Sequence, residues 1–223
     1  LQSNVIHGAE GPGIELRGAA LSCEVRDNTV RANGGPGILF VARAKAACAD
    51  NRISGGAGAG IEVTTGAAPL VVRNRVEACG GTGLLVRDGG RGDFRENLVV
   101  GAWASAAELC GEGTNCTLRS NRLLECRSGV GVLIHDGAAG VLESNEISGH
   151  PLAGLEVGAR TAPEVTQNTI TRNGGCGILL AADAGGRFKA NTVADNRGHG
   201  VECCSDADGL LLEGNTISGH AKG

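Results

Sequence analysis

The sequence predicts an all-β protein, a right-handed single-stranded parallel β-helix of about nine coils with three short strands in each coil. An asparagine recurs every 23 or 24 residues, aliphatic residues follow it at fixed offsets, and apolar residues alternate with other residues within each repeat. A repeat of this length is one structural unit that must stack on its neighbours to bury its apolar face. The ten asparagines are Asn4, Asn28, Asn51, Asn74, Asn97, Asn121, Asn145, Asn168, Asn191 and Asn215.

Each repeat contains three apolar segments that predict its three strands. An aliphatic residue lies two positions after every ladder asparagine, as Val30 follows Asn28. A pair of apolar residues separated by one residue comes next, such as Ile61 and Val63, and this alternation is typical of a strand with one buried face. A third apolar position, such as Val71, lies three residues before the next asparagine.

The handedness and the asparagine both have physical explanations. Connections between parallel strands are almost always right-handed, so the same hand is expected here. We expect each asparagine to turn the corner between the third strand and the first, because asparagine tolerates the left-handed backbone conformation. Its side-chain amide donates and accepts hydrogen bonds, which predicts an internal ladder along the stack. This interpretation makes the ladder structural rather than a ligand site.

Length and composition predict one domain over residues 1–223 and argue against two classes of partner. The repeat is already in phase at Asn4 and the chain opens on Leu1, so a piece of a longer protein is expected. The net charge of −4 argues against a nucleic-acid partner. The sequence has no apolar run long enough to span a membrane, so no membrane partner is expected.

The nine cysteines predict neither a disulfide framework nor a metal site. Their number is odd and no CxxC pair is present, so no metal and no cofactor are expected. Reduced thiols favour an intracellular location, in the cytoplasm or nucleus. Four cysteines fall on predicted inward strand positions, namely Cys23, Cys48, Cys116 and Cys203.

A longer period is visible at the outward residue of the second strand, where glutamate and leucine alternate from coil to coil. Two interpretations stay open. The glutamates keep a flat sheet soluble, or the face is a contact surface on which leucines anchor a protein or peptide and glutamates set its register. We call these residues the stripe; they are the predicted binding residues Glu15, Leu39, Glu62, Leu85, Glu108, Leu133, Glu156, Leu179 and Glu202.

An enzymatic function needs convergent groups, and the sequence indicates few. Stripe glutamates recur every two coils, about 9.6 Å apart at ordinary strand spacing, which is repetitive rather than convergent. Therefore no catalytic residue is assigned. The best rival cluster joins Arg87 and Asp88 to His135 and Asp136 two coils away, where an Asp would act as base and His or Arg as its partner. Asp-Gly is also an ordinary turn signal. The histidines expected in surface or loop positions are His7, His150, His199 and His220.

The paired coils 60–76 and 83–97 resemble the β-helix repeats of the F-box/β-helix proteins. The resemblance implies a right-handed β-helix that recruits substrates for an SCF-type ubiquitin ligase, with the F-box outside these residues. Related repeats occur in carbohydrate-binding and sugar-hydrolase β-helices. The predicted function is therefore a non-catalytic scaffold that binds a protein or peptide, and the resemblance implies that it is such a substrate-recognition region. The alternative is a carbohydrate-active β-helix, either a polysaccharide lyase, a hydrolase or an epimerase.

Overall fold

The computed structural model describes residues 1–18, 23–204 and 209–222. Within these residues the chain forms 28 short strands, β1 to β28, which build three parallel sheets running the length of the molecule. The predicted all-β solenoid of about nine coils is confirmed. No helix long and apolar enough to cross a membrane occurs in the described part of the chain.

Each sheet collects one strand from every coil. The first sheet begins just after the ladder asparagines and contains β1 (Val5–His7), β4 (Thr29–Arg31), β7 (Arg52–Ser54), β10 (Arg75–Glu77), β13 (Leu98–Val100), β16 (Arg122–Leu124), β19 (Glu146–Ser148), β22 (Thr169–Thr171), β25 (Thr192–Ala194) and β28 (Thr216–Ser218). The second sheet contains β2 (Ile14–Arg17), β5 (Ile38–Val41), β8 (Ile61–Val63), β11 (Leu84–Arg87), β14 (Ala107–Cys110), β17 (Val132–His135), β20 (Leu155–Val157), β23 (Ile178–Leu180) and β26 (Val201–Cys203). The third sheet contains β3 (Cys23–Arg26), β6 (Ala46–Ala49), β9 (Leu70–Val72), β12 (Arg91–Arg95), β15 (Asn115–Arg119), β18 (Ala139–Glu143), β21 (Glu164–Thr166), β24 (Gly186–Lys189) and β27 (Leu210–Glu213).

The register stacks equivalent residues of successive coils directly on one another. Val76, for example, lies opposite Ile53 on one side and Val99 on the other. Because side chains alternate between the two faces of a strand, this register carries every inward residue onto an inward residue. The predicted inward positions therefore form one continuous core, in which Phe40, Phe94 and Phe188 are fully buried or nearly so.

The asparagine ladder is present as predicted, with one correction to its cause. Asn97 donates from Nδ2 to Asn121 Oδ1 at 2.9 Å, and its own Oδ1 accepts from Asn74 Nδ2 at 3.0 Å. The left-handed residue at this corner is not the asparagine but the residue before it, such as Glu96 with φ 55° or Ser120 with φ 53°. Asparagine is selected by its amide hydrogen bonds and not by backbone tolerance.

A second ladder runs along the corner between the first and second sheets, five residues after each ladder asparagine. It is a mixture of residue types. His150 accepts a bond from the Cys126 amide at 3.2 Å through Nδ1, while its own backbone amide donates to Asn173 Oδ1 at 3.1 Å. The polar residues and cysteines of this second ladder are Asn33, Cys79, Cys126, His150, Asn173, Asn196 and His220.

His150 and His220 lie in corners outside the strands, as expected, but neither is exposed at the surface. His150 is 1 % exposed, and His220 is half-buried with its ring bonded to the Val193 carbonyl at 3.1 Å. Burial lowers the pKa of His150 to about 4, so the ring is neutral near pH 7. Strand periodicity did not reveal this position because it lies in a corner and not in a strand.

Candidate functional site

The outer face of the second sheet carries the stripe as one unbroken column. Leu85 lies opposite Glu62 in one neighbouring coil and Glu108 in the other. Leu133 likewise lies between Glu108 and Glu156. The leucines are only partly exposed, and Glu62 is buried. The stacking of the stripe follows the predicted register, and its role in binding stays a prediction.

A second column of side chains runs beside the stripe on the same face. It consists of the residues two positions further along each strand, which point the same way because side chains alternate. In the central coils these residues are Arg87, Cys110 and His135, and they lie directly opposite one another in β11, β14 and β17. The predicted pair Arg87 and His135 is thus joined by a cysteine in the coil between them.

Arg87 is held by two carboxylates. Its guanidinium lies 2.8 Å from Glu62 of the stripe and also contacts Asp88 in the adjoining turn. Thr64 donates a hydrogen bond to Asp88 at 3.0 Å and keeps that carboxylate in place. Partial burial is the largest influence on the Arg87 guanidinium and on its own would lower its pKa, but the charges and hydrogen bonds of Glu62 and Asp88 together outweigh it and raise the pKa above its usual value. Arg87 is therefore a fixed cation at the edge of the sheet.

His135 lies between two carboxylates of different origin. Its Nδ1 is 2.9 Å from Asp136 Oδ2 in the following turn, and its Nε2 is 3.3 Å from Glu108 Oε1 of the stripe. Thr82 donates to the other oxygen of Glu108 at 3.0 Å. The ring therefore has one carboxylate on each nitrogen, and its orientation is set from both sides.

Cys110 completes the central cluster, which we define as Arg87, Glu108, Cys110 and His135. Its thiol is half-buried on the outer face, between the arginine and the histidine. Burial, together with the negative charge of Glu108, raises the pKa of the Cys110 thiol to about 11. The thiol is therefore protonated at neutral pH in the absence of a bound cation.

Two grooves flank the cluster along the corner between the second and third sheets. The first, of about 470 Å³, is lined by Arg43, Lys45 and Arg91 together with small residues. None of these three cations forms an ion pair within the described part of the chain. The second groove, of about 360 Å³, is lined by Asp136, Gly137, Glu112 and Arg160. The first groove is the more cationic and is open to an anionic ligand.

The four residues of the predicted rival cluster form two separate contact pairs two coils apart, and the structure adds two residues from the coil between them that were missed. The carboxylates of Asp88 and Asp136 contact Arg87 and His135 respectively, as their position in the turns suggested. Glu108 was assigned only to the stripe, and Cys110 was assigned to no site. Strand alternation could have placed both on one face with His135, because Cys110 lies two residues after Glu108. The stripe glutamates lie two coils apart, as the register requires, and Glu108 in addition contacts His135.

Two of the solved structures that match this chain share its fold at a TM-score above 0.5. A mutant of the periplasmic alginate epimerase AlgG is 14 % identical, with a TM-score of 0.58 over 94 % of this chain and 46 % of that chain. The Azotobacter vinelandii mannuronan C-5 epimerase AlgE4 A-module is 11 % identical, with a TM-score of 0.59 over 94 % of this chain and 80 % of that chain. The chain thus spans less than half of the AlgG chain. No curated protein sequence matches it.

These findings correct the functional prediction. The substrate-recognition scaffold of an F-box ubiquitin ligase is wrong, because the similar structures are epimerases of a polysaccharide, which agree better with the alternative of a carbohydrate-active β-helix. The β-helix part of the resemblance is confirmed, and so is the right hand of the coil. The sequence profile described as "Right handed beta helix region" matches residues 1–123 and 109–223, which together span the whole chain, and the protein belongs to that family.

Proposed function

We propose that this protein acts on an acidic polysaccharide, with the central cluster as its reactive centre. The observation that carries the proposal is the position of His135, fixed on an outer sheet face between Glu108 and Asp136 and two coils from the fixed cation Arg87. An ordered histidine with one carboxylate on each nitrogen, and with a cation two coils away on the same face, is a suitable arrangement for proton transfer at an anionic substrate.

The groove of Arg43, Lys45 and Arg91 supports an acidic substrate. These three cations have no carboxylate partner among the described residues, whereas Arg87 and most other arginines do. A polymer lying along the corner would place its carboxylates against the groove while one sugar reaches the central cluster. Repeated cations along an open groove suit a repeating anionic chain better than a single small molecule.

The two structurally similar proteins are epimerases, and this supports a reaction that begins with proton removal from a uronate sugar. Epimerisation at carbon 5 of a uronate begins with removal of the proton next to the carboxylate, and a proton is then returned to the opposite face. Elimination begins in the same way and ends with loss of the oxygen on carbon 4. Both need a base at the carbon and a cation at the carboxylate, because the negative charge that develops on the carboxylate must be stabilised. Here His135 is the base and Arg87 the cation, and solvent water supplies the proton that is returned to carbon 5 or that leaves with the oxygen of carbon 4.

The arrangement of His135 gives its two nitrogens different tasks. In the tautomer that carries its proton on Nδ1, the ring donates a hydrogen bond to Asp136, and this bond sets the orientation of the ring. Nε2 is the nitrogen that takes the proton from the sugar, and Glu108 beside it stabilises the imidazolium that forms. The role assigned to Glu108 makes the central part of the stripe a portion of the substrate site.

The test is a turnover assay on polymannuronate, on polygalacturonate and on a neutral glucan. Proton NMR detects epimerised sugars, and ultraviolet absorbance detects the unsaturated ends left by elimination. We expect turnover of a polyuronate and none of the glucan. His135→Ala and Arg87→Ala are expected to lower kcat by about 100-fold or more, the usual contribution of a proton-transfer or charge-stabilising group. His7→Ala, which removes an exposed histidine of the first sheet, serves as the matched control.

Variants of the groove cations can distinguish an effect on substrate binding from an effect on the chemical step. Replacing Arg43, Lys45 and Arg91 together by alanine is expected to weaken polyuronate binding by about 10-fold while leaving kcat largely unchanged. Absence of turnover on every uronate polymer, or equal loss in the His7 and His135 variants, would overturn the proposal.

A further inference from the structure

We propose that Glu108, Cys110 and His135 form a binding site for a divalent transition metal, best suited to Zn²⁺. One carboxylate oxygen, the thiol sulfur and one imidazole nitrogen from these residues all lie within 4.8 Å of one another. The three come from two adjacent strands, since Glu108 and Cys110 share the outer face of β14 and His135 lies opposite Cys110 in β17. This inference goes beyond the polysaccharide proposal and does not depend on it.

The donor separations suit a tetrahedral ion. Zinc bonds of about 2.0 Å to nitrogen and oxygen place two such ligand atoms about 3.3 Å apart at a tetrahedral angle. His135 Nε2 and Glu108 Oε1 are separated by 3.3 Å. The thiol sulfur lies within 4.8 Å of a donor atom of each partner, and tetrahedral zinc would bring it to about 3.5 Å from each, so the third position requires an approach of at most about 1.3 Å. A tetrahedral ion would then have one coordination position open to solvent or ligand.

The residues around the three donors form the outer shell that metal sites require. A histidine that binds a metal through one nitrogen usually gives its other N–H to a carboxylate, which fixes the tautomer and the ring. Asp136 provides this carboxylate, 2.9 Å from His135 Nδ1. The second oxygen of Glu108 is likewise held, by the Thr82 hydroxyl at 3.0 Å. Two of the three ligands are therefore oriented before any ion binds.

The donor set selects among metals. Calcium and magnesium prefer sites built entirely of oxygen, so a thiol and an imidazole argue against both. Sulfur, nitrogen and oxygen together suit zinc, and also cobalt, which occupies similar sites and has a visible spectrum. The thiol gives up its proton when the metal binds, as cysteine ligands do. The site was missed in the sequence because its ligand spacing follows the coil period and not a short CxxC motif.

A bound metal and the proposed proton transfer would use the same nitrogen. An ion on Nε2 of His135 takes the lone pair that would otherwise accept a proton from the sugar. Metal loading is therefore expected to suppress turnover, and chelation to restore it. The binding experiment below contains no polysaccharide, so failure of either proposal is distinguishable from failure of the other.

The test is a titration of reduced, metal-free protein with Co²⁺ and with Zn²⁺, followed by absorbance and by calorimetry. We expect one ion per chain, with Co²⁺ giving tetrahedral d–d bands and a thiolate-to-cobalt charge-transfer band that Zn²⁺ then displaces. Cys110→Ser and His135→Ala are expected to abolish the charge-transfer band. Asp136→Asn is expected to weaken binding by about 10-fold, because it removes the group that orients the ring.

The matched control is Cys176→Ser. Cys176 is also a half-buried thiol beside a stripe carboxylate, donating to Glu202 at 2.7 Å, so its loss tests for nonspecific thiol binding. The control variant is expected to bind as the unsubstituted protein does. Unchanged far-ultraviolet circular dichroism shows that each variant is folded. Absence of a charge-transfer band in the folded protein, or its persistence in Cys110→Ser, would overturn the metal site.

Discussion

The two ladders of this β-helix occupy similar corners but tolerate very different residues. In both, a residue with positive φ precedes the ladder position, as Glu96 does at the first corner and Gly101 at the second. At the first corner every coil then has asparagine. At the second corner successive coils have Asn33, Gly56, Cys79, Ala102, Cys126, His150, Asn173, Asn196 and His220.

The difference shows that the turn itself does not require asparagine. At the first corner each amide from Asn28 onward also bonds to a carbonyl of the preceding coil, as Asn97 Nδ2 does to Val71 at 2.9 Å. The side chain thus satisfies buried backbone groups in two directions, which requires the donor and the acceptor of a side-chain amide. At the second corner the polar bonds are fewer, so alanine, glycine and cysteine are accepted. The ladder of the first corner, here called the uniform ladder, therefore requires asparagine in every coil. The ladder of the second corner, here called the mixed ladder, accepts a titratable residue such as His150.

The largest effect is expected from Asn97→Ala in the uniform ladder. The substitution removes the acceptor of the Asn74 backbone amide and of Asn74 Nδ2, and it removes the Nδ2 donor to the Val71 carbonyl and to Asn121, all in the buried interior. Unsatisfied buried groups cost about 1–3 kcal/mol each, so the free energy of unfolding should fall by about 4 kcal/mol. Urea unfolding measures this change in the free energy of unfolding. Cys79→Ala, at the second corner, is the comparison and should cost less than about 1.5 kcal/mol; equal losses would contradict the distinction between the ladders.

An intermediate loss of stability is expected when acid protonates His150. Burial holds its pKa at about 4, whereas the unfolded ring titrates near 6.5. Between these values the unfolded state binds more protons, so stability is complete above about pH 6.5 and is lost as the pH falls toward 4. The loss attributable to this ring should reach about 3 kcal/mol.

The variant His150→Asn tests that assignment, because it continues the asparagines found at 173 and 196 and cannot titrate. Its free energy of unfolding should depend less steeply on pH than that of the unsubstituted protein between pH 6.5 and 4. Urea unfolding at several pH values gives both slopes. Parallel curves would show that His150 does not control the acid response.

The smallest effect is expected from Asn33→Ala, near one end of the mixed ladder. Asn33 Oδ1 accepts from Ala9 at 3.0 Å, but its buried Nδ2 has no partner among the described residues. Removing it should cost about 1 kcal/mol. Asn173→Ala should cost at least twice as much, because Asn173 bonds to both His150 and Asn196. Thermal unfolding of the pair measures the difference, and a greater loss at position 33 would refute the expectation.

The strands could be predicted because each coil repeats the same pattern. Inward positions such as Val76 and Phe94 were recognisable from alternation, and their burial follows directly from the stacking of coils. The backbone conformations at the corners were harder to predict from the sequence. The residue with the left-handed conformation lies just before each asparagine but varies in type, from Ser120 to Arg73, so its residue type does not reveal its conformation.

The candidate site was only half predictable for a related reason. Asp-Gly turns pointed to Asp88 and Asp136, and the residues before them, Arg87 and His135, were noticed with them. Cys110 stood apart because the coil between has no such turn signal. Its place in the site depends on register alone, since it lies opposite both Arg87 and His135.

By itself, the sequence determined the coil, its period, its inward residues and the asparagine of its first corner, because these features repeat and each copy confirms the others. Only the tertiary structure decided which single-copy residues meet. Glu108 contacts His135 across 27 residues of chain, and Thr82 reaches Glu108 across 26. Such contacts arise from stacking one coil on the next in exact register. A residue that occurs once in the chain has no periodic signal, so its partners become visible only when the coils are stacked.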